Sequence, residues 1–272
     1  SQFLSYGSAL RVVRAVGSGA LNATASGIGI LTRNKTLFDA QTPLAADWVQ
    51  ARYPGFRGNN IGIKVATALN DLAANFIKDS AVESAPGTSA GAAAVGGSND
   101  EIHLVVYDNT GVITGTINTI LETWSYLSQA SDVKDSNGSS LYYKDVINSG
   151  SKWIFIGNHD ATLTNAGQSA VGQSFAYPTE ITETLTGGHD GDALTVGETT
   201  AGYDLFADKE TVDVSLVFQA NSGFNSSDTI TLSNYIVALC AARKDAVGFV
   251  SPERAATANA AAPATSVAAW RT

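Results

Sequence analysis

The sequence predicts an α/β fold: a mixed sheet with a parallel βαβ layer flanked by helices, plus a small inserted β lobe. The main observation is that strand-like and helical patterns alternate over the last third of the chain. Strands separated by helices at these spacings are typical of a parallel layer with right-handed crossovers. The segments are a strand over 180–188, a helix over 198–208, a strand over 211–220, a helix over 228–243 and a strand over 245–252.

The first elements of the chain are less regular. Residues 1–8 predict the end of a helix that stops near Gly7, and LRVVRAV at 10–16 predicts a strand. The segment 17–42 is small, Gly-rich and almost uncharged at its start, which indicates an excursion from the main domain. Within it, 30–38 could form one short strand.

A helix is predicted over 43–53. Thr42 suits the N-cap and Pro43 the first helical position, and the pattern continues to Pro54-Gly55. The next strand is predicted over 61–69, and the low-complexity segment 79–98 predicts an exposed loop.

A hairpin dominates the predicted centre of the chain. EIHLVVYD at 101–108 and VITGTI at 112–117 flank an Asn-Thr-Gly turn, and ETWSYLS extends the strand run. The remaining predictions are a polar loop over 131–140, a helix over 141–150, a buried strand over 152–157 and an irregular stretch over 158–178. In the later strand 211–220, the alternation puts Val212, Val214, Leu216 and Phe218 on one side.

Composition limits the partners. The 272 residues carry a formal charge of −9, with only 15% charged residues and no run of basic ones. Binding to nucleic acid needs concentrated Lys and Arg, so we expect no nucleic-acid partner. No stretch of 18 apolar residues and no signal peptide occurs, so we expect no membrane insertion.

The ends of the sequence suggest a longer protein. Ser1 lies inside a predicted helix, no Met occurs in the chain, and the sequence stops just after Trp270 and Arg271. We therefore expect this chain to be one part of a longer polypeptide.

Two motifs could carry chemistry, and each is weak. Gly17-Ser18-Gly19 follows a predicted strand like a dinucleotide-binding turn, but Asn22 stands where that motif needs its last Gly. The loop from Gly187 to Asp192 holds His189 and two carboxylates, which could bind Ca²⁺ or Zn²⁺, or could be a plain turn. We expect neither a cofactor nor a metal.

A hydrolytic site is not expected either. The three histidines are His103, His159 and His189, and no Gly-x-Ser-x-Gly elbow is present. Cys240 is the one cysteine, so an internal disulfide is impossible, and its apolar helical context predicts a packing role. The sequence therefore predicts no catalytic residue and no enzyme.

Several segments together resemble one known family. They are FLSYGSALRVVRAV at 3–16, Tyr-Pro-Gly with Gly58 and Asn59 at 53–59, the Gly187-Gly188 turn, Phe206 to Val214, Ser251 to Arg254 and Ala269 to Thr272. In their order and spacing they are similar to the T4-like tail sheath proteins of contractile-tailed phages, and look most like those of cyanobacterial myophages.

This resemblance implies a domain organisation. It implies a discontinuous core α/β sheath domain over 1–16 and 48–272, with 17–47 as a reduced inserted outer lobe. It also implies that the family's N-terminal arm and its C-terminal domain, which faces the tail tube, lie outside this chain.

The resemblance also implies a mechanical function. A sheath subunit would polymerise with other subunits in hexameric rings of a helical stack, around the tail tube protein and between the baseplate and tail terminator proteins. Contraction would then drive the tube through the host envelope and deliver the genome. The expected location is the phage tail of the virion, assembled in the host cytoplasm.

Two alternatives stay open at this stage: the sheath of a phage-derived device such as a tailocin or secretion system, and a nucleotide-binding α/β enzyme domain. Charged residues in the last third of the chain are the predicted subunit interface, because such residues could fix register between subunits. They are Asp208, Lys209, Glu210, Arg243, Lys244 and Asp245.

Overall fold

The structure is a computed structural model that describes residues 9–41, 47–67, 82, 84–175, 181–219, 223–258 and 260–270. It is a mixed α/β protein, as predicted. The chain separates into two compact units. The central unit comprises residues 18–191, and the flanking unit comprises residues 1–17 and 192–272.

The central unit is mainly β-structure. Its strands are β1 (Val49–Ala51), β2 (Ile61–Thr67), β3 (Glu101–Asp108), β4 (Thr119–Ser128), β5 (Ile154–Ile156) and β6 (Ile181–Thr184). Its helices are α1 (Lys35–Ala40), α2 (Ala90–Ala94) and α3 (Tyr143–Gly150), with a 3-10 turn at Phe56–Asn60.

The main sheet of the central unit has the strand order β4-β3-β2-β6 and is antiparallel throughout. In its middle, Val65 lies opposite Leu104. The β-branched and apolar residues of β2 and β3 are buried. Every second residue along these strands belongs to the main core, which also contains residues of α3 and β5. This sheet is the rigid framework of the unit.

A smaller antiparallel sheet pairs β1 with β5, which explains an incorrect prediction. The helix predicted over 43–53 is wrong from Val49 to Ala51, because these residues are fully buried and pair with Ile154–Ile156. Tertiary pairing has overridden the helical pattern. Residues 42–46, with the predicted N-cap, lie outside the described residues.

The flanking unit contains helices and one small sheet. Its elements are α4 (Val196–Asp204), β7 (Leu216–Phe218), α5 (Ser226–Arg243), β8 (Val247–Phe249), α6 (Arg254–Thr257) and α7 (Pro263–Trp270). β7 and β8 are parallel and α5 connects them along the chain, which is one βαβ unit. The core of the unit includes Tyr203, Leu232 and Ile236.

The helices of the flanking unit begin at recognisable caps. Thr195 and Glu198 form a reciprocal capping box at α4. The Asn225 side chain accepts from the Asp228 amide at the start of α5. At the other end of α5, Lys244 adopts a left-handed conformation with φ of 63°.

The predicted parallel layer is found only in part. Among the described residues β7–β8 is the one parallel strand pair, whereas every strand pair of the central unit is antiparallel. The predicted strand at 180–188 is present as β6, but it pairs with β2 and not with β7. The layer is therefore a single βαβ unit.

Other local predictions also differ from the structure. Residues 10–16 belong to no strand among the described residues, so the predicted strand is wrong. The segment 30–38 is not a strand, because α1 begins at Lys35. A short helix, α2, lies inside the predicted loop 79–98. The helix predicted over 1–8 lies outside the described residues.

The second hairpin strand starts later than predicted because a carboxylate organises the turn. Asp108 accepts hydrogen bonds from the amides of Gly111, Ile113 and Thr114 and from the Thr114 hydroxyl, at 2.8–2.9 Å. Residues 112–117 are therefore turn, and β4 begins at Thr119.

The boundaries of the two units do not coincide with those predicted for the core and the lobe. Residues 18–41 lie in the central unit, where Asn22 and Thr24 make bridges to Ile30, Gln50 and Thr186. The division into a core over 1–16 and 48–272 and a lobe over 17–47 stays a prediction.

Candidate functional site

The sheet of the flanking unit has one exposed apolar side, which we term the open face. It consists of Leu216, Phe218, Val247 and Phe249, which are 45%, 49%, 59% and 49% exposed. Leu216 lies opposite Val247, and Phe218 lies opposite Phe249. The two phenylalanine rings stack with centroids 5.3 Å apart, so the four side chains form one patch.

The opposite side of this sheet is closed by α5. Val217 is buried there, and a Cβ on Gly248 would lie 3.1 Å from Ile236 Cγ2 and 3.2 Å from Cys240 Sγ. Burial raises the pKa of the Cys240 thiol, so the thiol stays protonated. Cys240 packs against the unit's core, in agreement with its predicted packing role.

A groove of about 470 Å³ runs beside β7. It is lined by residues 9–11, residues 213–218, Tyr203 and Phe206. The Tyr203 hydroxyl donates to the Phe218 carbonyl at 2.8 Å, which holds β7 against α4. The groove and the open face therefore share β7.

The six charged residues predicted as an interface lie at the end of α5 and in the loop after α4. Asp208, Lys209, Glu210, Lys244 and Asp245 are exposed. The Asp208 carboxylate accepts from the Glu210 amide and the Thr211 hydroxyl, both at 2.9 Å. These hydrogen bonds lower the pKa of Asp208 and keep it ionised.

Arg243 differs from the other five because it is only 2% exposed. Its guanidinium donates to the Phe206 carbonyl, to the Val212 carbonyl at 3.0 Å and to both carboxylate oxygens of Asp245 at 2.9–3.0 Å. It therefore joins the end of α5 to the loop over 205–212. An interface role for all six residues stays a prediction, and the structure gives Arg243 a role within its own unit.

The open face is suited to burial against another protein surface. Contiguous exposed apolar patches mark interaction sites. Covering these four side chains would remove apolar area from water, and each Å² buried would stabilise the complex by about 25 cal/mol. The arrangement favours association and offers no group for chemistry.

The Gly17–Gly19 turn lacks the structure that a dinucleotide site needs. A helix should follow the glycines directly, but the next helix, α1, begins only at Lys35. A Cβ on Gly17 would lie 3.5 Å from the Glu198 carboxylate. A carboxylate at this place would repel a pyrophosphate.

The glycine-rich turn at 187–191 is held by hydrogen bonds between side chains and backbone groups. Asn59 donates to the Gly188 carbonyl at 2.9 Å and accepts from the Gly188 amide at 2.6 Å. The Asp190 carboxylate accepts from the Phe56 amide at 2.9 Å. Within the described ranges no group of three or more His, Cys, Asp or Glu side chains comes together as a metal site.

The histidines of the central unit have separate surroundings. His159 Nδ1 lies 2.7 Å from the Tyr143 hydroxyl, and burial lowers the pKa of His159, as does the Lys144 charge. His189 Nδ1 accepts from the Gly191 amide at 3.0 Å. His103 is fully buried in β3.

No helix in the described part of the chain combines the length and apolar character needed to cross a bilayer.

Sequence reasoning did not identify the open face. The alternation in 211–220 correctly put Leu216 and Phe218 on one side, and β8 repeats the pattern with Val247 and Phe249. The signal in the sequence was that both strands alternate in the same way. In the second strand, Gly248 stands between the apolar Val247 and Phe249. The sequence does not tell which side of such a pair another element covers.

Two phage proteins are similar to this chain. The tail sheath protein of Enterobacteria phage T4 is 28% identical over 214 residues, covering 76% of this chain and 29% of the T4 protein. The tail sheath protein of Salmonella phage ViI is 24% identical over an alignment of 358 residues, covering 100% of this chain and 53% of that protein. The resemblance to phage tail sheath proteins is therefore confirmed.

No family model matches the chain. The chain spans about half or less of the length of these two relatives.

Proposed function

We propose that this chain is part of a structural subunit of a bacteriophage contractile tail sheath and has no enzymatic activity. Its subunits would polymerise around the tail tube and contract to drive the tube through the host envelope. The observation that carries the proposal is the similarity to two tail sheath proteins, one of which extends over the whole chain.

The open face supports this proposal from the physical side. A subunit of a polymer needs surfaces that stay exposed in the isolated chain and are buried in the assembly. Leu216, Phe218, Val247 and Phe249 form such a surface, and residues 9–11 line a groove beside it.

The partners follow from the proposed function. They are other sheath subunits in hexameric rings of a helical stack, the tail tube protein, and the baseplate and tail terminator proteins. The protein would be assembled in the host cytoplasm and reside in the virion tail. Contraction would move each subunit almost as a rigid body, which needs stiff units such as the four-stranded sheet.

Electron microscopy tests the proposal. The complete gene product that contains this chain is expressed and examined by negative stain. We expect striated tubes or stacked rings, and their helical repeat would distinguish an extended from a contracted lattice. Dispersed particles under conditions in which the two similar sheaths polymerise would count against a sheath.

A pair of variants tests the surface. Phe249→Asp places a charge on the open face and should abolish polymers while leaving the subunit folded by circular dichroism. Val171→Asp changes an exposed apolar residue of the central unit and serves as the control. Normal tubes from the Phe249 variant would exclude the open face as a polymer contact.

A further inference from the structure

His103 occupies an unusual place in the ladder between β3 and β4. The register shifts between Ile102 and Leu104, where two residues of β4 lie opposite the one histidine. One of them, Tyr126, is left-handed, with φ of 54°. This is a β-bulge, and a bulge leaves one backbone group without its ladder partner.

The imidazole takes the place of that partner. His103 Nδ1 accepts a hydrogen bond from the Tyr126 amide at 3.0 Å. On the other side of the ring, Nε2 lies 2.9 Å from the Ser84 carbonyl. Since an amide can only donate and a carbonyl can only accept, the ring must be neutral with its proton on Nε2.

The arrangement is closed by a third contact. The Tyr126 hydroxyl lies 2.8 Å from the Ser84 hydroxyl, and the Tyr126 and His103 rings pack edge to face at 4.6 Å. His103 therefore joins three parts of the central unit: β3, the bulge of β4 and the segment that begins at Ser84. We term His103, Tyr126 and Ser84 together the latch.

We propose that the latch is a proton-sensitive device, in which protonation of His103 releases the Tyr126 bulge and the Ser84 segment from β3. A proton on Nδ1 would point at the Tyr126 N–H, so the bond must break. A non-glycine residue in the left-handed region costs about 1–2 kcal/mol, so Tyr126 would then leave its conformation readily.

The charged surroundings of His103 do not compensate for a positive ring. Among the described residues, the ionisable groups of these strands on the same side of the sheet are Glu101 and the Tyr107 phenol on β3, Lys64 on β2 and the Tyr126 phenol on β4. The Glu101 carboxylate accepts from the Gly87 amide at 2.8 Å, and no charged neighbour is among the causes that shift the pKa of His103. Ala66 is the residue of β2 directly opposite His103, and it brings no charge.

The direction of the pKa agrees with this geometry. Burial lowers the pKa of His103, against smaller opposite effects of hydrogen bonds with the backbone of Ser84 and Ile102. A lowered folded pKa means that the opened state binds the proton better. The latch is therefore stable above the ordinary imidazole pKa of about 6.5 and weakens as the pH falls below it.

Hydrogen exchange at peptide resolution tests the latch. Exchange is measured at about pH 7.5 and about pH 5.5 and corrected for intrinsic rates, in wild type and in His103→Asn. The Asn oxygen can still accept from the Tyr126 amide but cannot titrate. In wild type, local opening over 119–128 and 84–89 should rise by up to about tenfold between the two pH values, because the opened imidazole titrates near 6.5.

The variant and two controls make the result specific. In His103→Asn the same opening should change less than about twofold, since a tenfold effect needs a full pKa unit. His159→Asn, at a half-buried histidine of the same unit, should keep the wild-type response. Strand β2 should stay protected throughout, because it reports opening of the whole sheet.

An equal response in wild type and His103→Asn would overturn the proposal, as would simultaneous loss of protection in β2. If His103→Asn does not fold, ¹⁵N NMR of the wild-type imidazole gives the answer. Nδ1 should be unprotonated at neutral pH, and its protonation should coincide with loss of the Tyr126 amide signal. Protonation without any change at Tyr126 would also overturn it.

Discussion

In the central unit, β2 and β3 each have a strand on both sides and are buried along almost their whole length. In the flanking unit, β7 and β8 have one strand neighbour each among the described residues, and their apolar residues alternate between buried and exposed. Both pairs are rich in apolar residues: Val, Ile and Leu in β2 and β3, and Val, Leu and Phe in β7 and β8. The difference lies in what covers them and not in their composition.

This comparison separates two uses of an apolar strand. A strand with both faces covered contributes to the stability of its own unit, whereas a strand with one exposed face is available to another surface. Substitutions in β3 should therefore affect folding, and substitutions on the open face should affect association.

The largest effect is expected in the covered sheet. Leu104→Ala removes a fully buried side chain of β3 and should lower the free energy of unfolding by about 2–5 kcal/mol. Denaturant unfolding monitored by circular dichroism measures it. A loss no greater than that of an exposed substitution would mean that the main core is not closed around β3.

A large effect is also expected at the buried arginine of the flanking unit. Arg243→Ala leaves the half-buried Phe206 and Val212 carbonyls without this donor, which should cost about 1–3 kcal/mol because unpaired polar groups shielded from water are expensive. Lys209→Ala, in the same loop but exposed, is the matched control for the thermal unfolding measurement. Equal shifts of the two variants would contradict the organising role of Arg243.

The Asp108 turn should give a smaller, pH-dependent effect. Desolvation opposes ionisation here, but the hydrogen bonds from Thr114, Gly111 and Ile113 prevail and lower the pKa of Asp108. The turn is then stabilised above about pH 4, and this stability is lost as the pH falls through the folded pKa.

Asp108→Asn should lower the free energy of unfolding by about 1–3 kcal/mol at neutral pH. The side-chain NH₂ of Asn cannot accept the hydrogen bonds that one carboxylate oxygen of Asp108 receives. The difference between wild type and Asp108→Asn should shrink in acid. Unfolding at a series of pH values measures it, and a difference that stays constant down to the acid limit would exclude this linkage.

The smallest effect is expected on the open face. Val247→Thr keeps the β-branched shape of a side chain that is 59% exposed and should change the free energy of unfolding by at most about 0.5 kcal/mol. Val217→Thr, on the covered side of the same sheet, should cost clearly more. A large loss from Val247→Thr would show that the open face is already covered within the chain.

The parts that sequence reasoning predicted correctly are those whose pattern depends on local order. β2 and β3 follow from their β-branched content, α3 and α5 from their periodicity and end signals, and β5 from its apolar run. The tail sheath resemblance followed from short motifs in a fixed order. The predictions of helices and strands use adjacent residues, and the resemblance uses the order of motifs along the chain.

The parts that failed depend on residues far apart in the chain. Val49–Ala51 is a strand because Ile154–Ile156 pairs with it. Residues 109–118 form a turn because one carboxylate collects four donors. The open face could be traced to its residues from the alternation, but its exposure depends on α5 covering the other side. No local pattern carries such information.

The course of the chain through the two units has a consequence for synthesis. The central unit is continuous from 18 to 191, whereas the flanking unit combines residues before 18 with residues after 191. Domains generally fold as units while the chain leaves the ribosome. The central unit can therefore fold during translation, while the first residues wait for the last part of the flanking unit. The open face is then made after the central unit, which shortens the time for which newly made chains expose it to one another.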